Sequence, residues 1–237
     1  MIRVDQLRFA WPHDAADCLA IERLELGPGQ TLFLHGPSGS GKSTLLGLLA
    51  GVLLPHQGRV ELLGVDWASL SSSRRDAQRA DHVGYIFQQF NLLPYLDALD
   101  NVALPCRFSA RRRQRAAAQG GSARAAAESL LRRMGLPEAA WHRAAGALSV
   151  GQQQRVAAAR ALIGSPEVVI ADEPTSALDA ELRDAFMALL LGECKAAGSA
   201  LVFVSHDRAL APRFDVECSL SDLNRAGAAP AESELAE

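Results

Sequence analysis

The sequence is poor in the features that would place a chain in a membrane or bind it covalently. No stretch of about 18 consecutive apolar residues occurs, so no helix is expected to cross a bilayer. The opening residues, MIRVDQLRFAW, carry no long apolar run behind basic residues, so no secretory leader is expected. Cysteine is sparse. Cys18, Cys106, Cys194 and Cys218 are scattered, with no CxxC pair. This argues against a zinc site or a disulfide framework and suits a reducing compartment. Each cysteine is expected to serve as a small apolar filler. Positive charge is not in excess either: 24 Lys and Arg against 27 Asp and Glu leave a formal charge of −3. No general basic field for nucleic acid exists, and no nucleic-acid partner is expected. No internal repeat is present, so the chain holds one functional unit.

What remains is an ordinary globular composition, 49% hydrophobic over 237 residues, enough for a sizeable core. Ile2, Val4, Leu7 and Phe9 recur in near-alternation, the pattern of a half-buried strand. Thr31 to Leu34 is a short apolar run ending at Gly36. From Lys42 to Ala50 the pattern turns helical, with Gly51 as its stop. Gly58–Leu63 and His82–Phe87 read as strands and Ala123–Met134 as a helix. Val168–Ala171 and Ala200–Val204 are continuous apolar runs, as suits parallel strands buried on both faces. Strands alternating with helices indicate an open α/β sheet.

Two stretches differ. Arg107–Arg124 is rich in Arg, Ala, Gln and Gly, with Gly120-Gly121 in its middle. It is expected to be a solvated, partly flexible excursion in a helical region, with too little aromatic content to stack on bases. The tail, Ala226–Glu237, is small and acidic and is expected to be disordered.

Chemistry first becomes explicit at Gly36-Pro37-Ser38-Gly39-Ser40-Gly41-Lys42-Ser43-Thr44. This matches GxxxxGK[ST] in full, after an apolar strand and before a helix. Glycines let backbone N–H groups turn inward around phosphate oxygens, and the helix N-terminus adds unpaired donors. Lys42 is expected on the β- and γ-phosphates and Ser43 on Mg²⁺. The motif alone does not choose among kinases, GTPases and ATPases.

Val168-Val169-Ile170-Ala171 then runs into Asp172-Glu173. Two acids emerging from an apolar strand are costly without a cation to meet them. Asp172 is placed to hold Mg²⁺, directly or through water. Glu173, beyond the strand end, is placed to polarise an attacking water.

Leu148-Ser149-Val150-Gly151-Gln152 resembles the signature motif of ABC ATPases, with Val150 where the family has glycine. Ser149 can also cap the helix that follows, whose N-terminus offers a second anion site. The resemblance covers the chain from about Met1 to Asn224, with the motifs in the expected order. It implies a P-loop NTPase (RecA-like) α/β core with an antiparallel β subdomain and an inserted helical subdomain. The ATPase domain would span residues 1–225, with the helical part at about 89–162.

The resemblance also assigns roles. Gln88 matches the Q-loop glutamine that reaches Mg²⁺ and the attacking water. Ser176-Ala177-Leu178-Asp179 matches the D-loop, which crosses a dimer interface. His206 matches the switch histidine on the γ-phosphate. Trp11 either stacks on adenine or packs on the surface; Phe9 is expected to face the core. ATP and Mg²⁺ are the implied cofactors. The implied assembly is a head-to-tail homodimer in which Ser149, Gly151 and Gln152 of one copy close on ATP held by the other. Within the family, Val83–Pro94 and Leu99-Asp100-Asn101-Val102 are most similar to lipoprotein-releasing and macrolide-exporting ATPases, although cell-division and amino-acid-import ATPases share much of the pattern. A separate membrane permease of the FtsX/MacB type would then hold the chain on the cytoplasmic face of the bacterial inner membrane. Its short helix is expected to dock at Phe87–Leu99, with Phe90, Leu92, Leu93 and Tyr95 as anchors.

Other ATP-driven machines fit less well. Mechanical ATPases of DNA repair split the cassette with a long heptad coiled coil, and no heptad run occurs here. Two-cassette translation ATPases need a longer chain. A phosphate-loop kinase would not carry LSVGQ beside the Asp172-Glu173 pair.

Overall fold

The computed structural model describes residues 1–12, 16–176 and 178–226; the expected disorder of the tail falls almost wholly outside them. Strands β1 (Ile2–Phe9), β2 (Leu19–Leu26), β4 (Gln57–Leu62) and β5 (Val65–Asp66) form an antiparallel sheet in the order β2-β1-β4-β5. Strands β3 (Thr31–His35), β6 (Val83–Ile86), β7 (Val168–Asp172), β8 (Ala200–Val204) and β9 (Val216–Ser219) form a parallel sheet in the order β6-β7-β8-β3-β9.

The near-alternation of β1 has a physical origin. Ile2 and Val4 are buried, Asp5 and Gln6 are not, and Leu7 and Phe9 are buried again. Pairing with β4 slips between Asp5 and Arg8, and Gln6 takes φ 49°. This β-bulge resets the phase so that the same face keeps its apolar residues. Across from it a Cβ on Gly58 would lie 2.1 Å from the Gln6 carbonyl oxygen, so only glycine fits there. In the parallel sheet, Val168–Ala171 and all of β8 are fully buried, as their unbroken apolar runs require.

Helix α1 (Lys42–Leu49) follows β3, and its leucines join the core shared by both sheets. Trp67, wholly buried, donates its indole N–H to the Leu49 carbonyl at 3.2 Å. Helix α2 (Ser72–His82), which the sequence reading passed over, has no buried residue. Its composition therefore gives no apolar stripe to detect.

Between β6 and β7 lie α3 (Ala98–Ala103), α4 (Pro105–Phe108), α5 (Ala110–Gly120), α6 (Ala123–Arg133) and α7 (Val150–Leu162). The expectation for Arg107–Arg124 is corrected here. Most of that stretch is helix, and Gly121 closes α5 in the left-handed region. Arg112 is buried, and its guanidinium donates to the carbonyls of Ala161 (2.5 Å) and Ile163 (2.8 Å). Burial lowers its pKa to about 10, which still leaves it charged at neutral pH. Arg111 and Arg115 reach Glu167 at 2.6 and 2.8 Å, and His82 reaches the same carboxylate at 2.8 Å. Burial alone would raise the Glu167 pKa, but hydrogen bonds from Arg111 and His82 bring it down to about 2. Its stabilising effect is therefore present above the ordinary carboxylate range and fades as the pH falls towards 2. Arg111, Arg112 and Arg115 fasten this segment to the core, whereas Arg107, Arg113 and Arg124 are exposed as expected.

Helix α8 (Ala180–Ala197) precedes β8, and α9 (Leu220–Leu223) follows β9. All four cysteines are free. Burial pushes the Cys194 thiol up to about 12 and raises those of Cys106 and Cys218, as befits inert packing groups. Among the described residues no helix is long and apolar enough to cross a membrane.

Candidate active site

The carboxyl ends of β3, β7 and β8 lie side by side, at the end of the sheet where open parallel sheets bind ligands. The phosphate-loop residues leave β3 and turn into α1. Gly41, the residue before the helix, takes φ 97°, and a Cβ there would lie 2.9 Å from the Leu19 side chain. The loop is closed on its own lysine: Lys42 Nζ, buried, donates to the carbonyls of Gly36 (3.0 Å) and Pro37 (2.8 Å). Ser40 Oγ, in the same loop, is buried with no hydrogen-bond partner. An orphaned hydroxyl beside an ammonium that has only carbonyls to serve is a donor set that fits phosphate oxygens. Gly39 stands at φ 78° with open space around it.

Strand β7 delivers the acids. Ser43 Oγ donates to Asp172 Oδ2 at 3.2 Å, so the two expected metal ligands already meet. Burial raises the Asp172 pKa and the neighbouring Glu173 charge adds to it, against the Ser43 bond and the Lys42 charge. Burial first, and the Asp172 charge second, also raise the pKa of Tyr85, which stays a neutral phenol. A carboxylate short of solvation, next to a hydroxyl and close to a second acid, is suited to a hard divalent cation such as Mg²⁺.

Glu173 leaves the strand with φ 46° and donates its N–H to the Val204 carbonyl at 3.0 Å. A non-glycine residue in the left-handed region carries strain, which persists only where the surroundings fix it. That turn points the carboxylate at two residues far away in sequence. Glu173 Oε1 lies 2.6 Å from His206 Nε2, and Oε2 accepts a 3.5 Å contact from Gln88 Nε2. Pro174, the next residue, accepts from the buried Gln154 of α7 at 2.7 Å. The structure thus brings together Gln88, Asp172, Glu173, His206, Lys42 and Ser43.

The other candidates stand apart from this cluster. Ser149 caps α7 in a capping box: its Oγ accepts from Gln152 N–H, and the Gln152 side chain accepts from Ser149 N–H at 3.1 Å. Val150 is 50% exposed, and a Cβ on Gly151 would meet nothing within 4 Å. Among the described residues no hydrogen bond joins Ser149, Gly151 or Gln152 to the phosphate loop. Asp179 caps α8 by accepting from Leu182 N–H at 2.9 Å; Ala177 of the same motif lies outside the described residues. Trp11 is 43% exposed, edge-on to Phe9 at 5.2 Å, and Phe9 is buried as expected.

Sequence reasoning missed Arg160 and Arg183. Arg160 lies among buried Val156, Ala157, Ala158, Ala159 and Ala161; a cation inside such an apolar run is itself a visible signal. Arg183 pairs with Asp207, beside His206, at 2.5 Å, and no local pattern marks it.

The profile of the ABC transporter family matches residues 21–176. The chain is 39% identical over 230 residues to the macrolide export ATP-binding/permease protein MacB of Chromobacterium violaceum, covering 94% of this chain and 34% of that one. It therefore spans about a third of the length of that relative. It is 40% identical over 220 residues to the lipoprotein-releasing system ATP-binding protein LolD of Novosphingobium aromaticivorans, covering 91% of this chain and 93% of that one. Among solved structures it is similar to the dimeric post-hydrolysis state of the ATP-binding cassette MJ0796 bound to ADP and Pi. That match has a TM-score of 0.78 and 32% identity, and covers 92% of this chain and 94% of the other.

Proposed function

The chain belongs to the ABC transporter family as an ATP-binding, ATP-hydrolysing cassette, and from that premise we propose that it powers a separate membrane permease of the lipoprotein-release or macrolide-export type. The observation that carries the chemistry is the convergence of the Lys42 loop, the Ser43–Asp172 pair and the Gln88–Glu173–His206 cluster at the carboxyl ends of the parallel strands.

In this reading Lys42 leaves the Gly36 and Pro37 carbonyls for phosphate oxygens when ATP enters. Backbone N–H groups of residues 36–44 and the Ser40 hydroxyl complete the cradle. Ser43, Asp172 and Gln88 would hold Mg²⁺, which would supply charge neutralisation on the phosphates. Glu173 orients water and accepts its proton at a carboxylate oxygen. His206, held against Glu173 here, is placed to turn to the terminal phosphate. Trp11 offers a half-exposed ring to the adenine.

We assign Ser149, Gly151, Gln152 and Asp179 to a second copy's nucleotide. An exposed helix N-terminus with open space at Gly151 suits an anion, and among the described residues of one chain no hydrogen bond links it to the phosphate loop. The similarity to a dimeric cassette supports the pairing. Mg-ATP is expected to convert Glu173→Gln from monomer to dimer in sedimentation velocity. A variant that stays monomeric at saturating Mg-ATP would contradict the sandwich.

We propose one ATPase domain over residues 1–225 with its helical part at about 89–162, and a location on the cytoplasmic face of the inner membrane, through the permease. Of the expected anchors, Phe90 is buried and Leu92 and Leu93 are half-buried, whereas Tyr95 is 75% exposed. The Tyr95 loop is held by the fully buried Asn101, which accepts from Leu93 N–H and donates to the carbonyls of Leu93, Leu96 and Asp97. Between α2 and α4 lies an open groove of about 600 Å³ where Leu104, Pro105 and Phe108 face the charged Asp76 and Arg79, and Phe108 is also 75% exposed. A short amphipathic permease helix, with apolar residues towards Phe108 and polar ones towards Asp76 and Arg79, suits such a groove. Tyr95→Ser with Phe108→Ser is expected to leave basal ATP hydrolysis intact and abolish co-purification of the permease. Retained co-purification of the folded variant would place the coupling surface elsewhere.

A further inference from the structure

We propose that Arg160 is a positioning residue for Gln88, tying the Gln88 loop to the helix that carries the signature motif; the proposal rests on the ATPase reading. Helix α7 starts at the Ser149 cap and reaches Arg160 about 16 Å further along its axis, at 1.5 Å per residue. Arg160 is only 9% exposed, and burial lowers its pKa. A cation placed there is costly unless strong partners meet it.

The partners are two adjacent carbonyls just beyond Gln88. Arg160 Nη2 donates to Phe90 O and Nη1 to Asn91 O, both at 2.6 Å. Those two residues are left-handed, with φ of 60° and 47°. Asparagine tolerates that region, but a bulky phenylalanine there is a true outlier. Two further bonds tighten the turn: Phe90 N–H to Phe87 O at 2.9 Å and Asn91 N–H to Gln89 O at 2.6 Å. Gln88 therefore projects from a strained turn whose exit is clamped by α7.

The clamp is itself fixed from behind, since Arg112 holds the carbonyls of Ala161 and Ile163 at the end of the same helix. A displacement of Ser149 on meeting a ligand is carried along a packed, rigid helix to Arg160, and from there to the Gln88 turn. The planar fork holds its two N–H donors in fixed geometry against the two carbonyls; a lysine ammonium, a point charge on a flexible stem, does not reproduce that spacing.

The test is a double-mutant cycle on the full chain with Arg160→Lys, Gln88→Ala and their combination. Arg160→Lys is expected to lower kcat about tenfold or more, as misplacing a reacting group does. KM for ATP should stay within about twofold, and nucleotide affinity by direct titration should be unchanged. Amide hydrogen exchange at Phe90 and Asn91 should accelerate while β7 and β8 stay protected. The double variant should be no slower than Gln88→Ala alone, because both changes remove the same contribution. Multiplying effects, wild-type turnover by Arg160→Lys, or wild-type turnover by Gln88→Ala would each overturn the proposal. If the wild-type chain hydrolyses no ATP, the ATPase reading fails. The exchange arm still decides the clamp, and unchanged exchange at Phe90 and Asn91 would overturn it.

Discussion

Glu173→Gln is expected to keep ATP bound and to lose about 10²-fold or more of its turnover, the usual cost of removing a positioned base. The two side chains have the same shape, so the substitution isolates charge and proton affinity. The amide oxygen can still accept from His206 Nε2, now 2.6 Å from Oε1. The left-handed backbone at φ 46° and the bond to the Val204 carbonyl involve no side-chain atom and should persist. What disappears is the group that takes the proton from water. Binding should not suffer, because Glu173 is one of the influences raising the Asp172 pKa. Removing that charge makes the ionised form of Asp172 easier to keep and its hold on a cation no weaker. Phosphate release at saturating Mg-ATP, set beside a direct nucleotide titration, separates the two quantities. Near-normal phosphate release would remove Glu173 from the chemical step.

The parts legible in the sequence were those where local pattern and local chemistry coincide. The phosphate loop is contiguous, so its strand, glycines, lysine and helix could be read in one pass. The buried runs at Val168–Ala171 and Ala200–Val204 became β7 and β8 at nearly those limits. Even the β1 bulge is visible afterwards in the three-residue step from Val4 to Leu7. The meeting of Gln88, Glu173 and His206 was legible only through the family resemblance. Nothing within reach of each residue says that three strand ends converge. Helix α2 escaped because none of its residues is fully buried, and the arginine-rich segment was misread because its partners are remote backbone carbonyls and Glu167. An arginine that satisfies main-chain acceptors in the core has the same composition as one dissolved in water. Only tertiary structure distinguishes them.

Lys42→Ala is expected to fail at the step before, by losing nucleotide. The ammonium is the one cation of the loop, and it donates to two carbonyls, Gly36 O and Pro37 O. Without it those oxygens face the phosphates of incoming ATP with like partial charge. A hydrogen bond to a charged group contributes about 1.5–3 kcal/mol. With contacts to both the β- and γ-phosphates lost, affinity should fall on the order of 10²-fold, since each 1.4 kcal/mol is about tenfold. The fold should survive. Leu45, Leu46, Leu48 and Leu49 anchor α1 in the core, and alanine is the best helix former at the vacated site. Titration with a fluorescent ATP analogue, alongside a thermal melt, reads both outcomes. The pattern is the inverse of that for Glu173→Gln: one variant holds nucleotide and does not turn it over, the other scarcely holds it. Unchanged affinity in a folded Lys42→Ala protein would mean that the backbone cradle and the Ser40 hydroxyl bind the phosphates without the lysine. Its two carbonyl bonds would then be structural, there to hold the loop's shape.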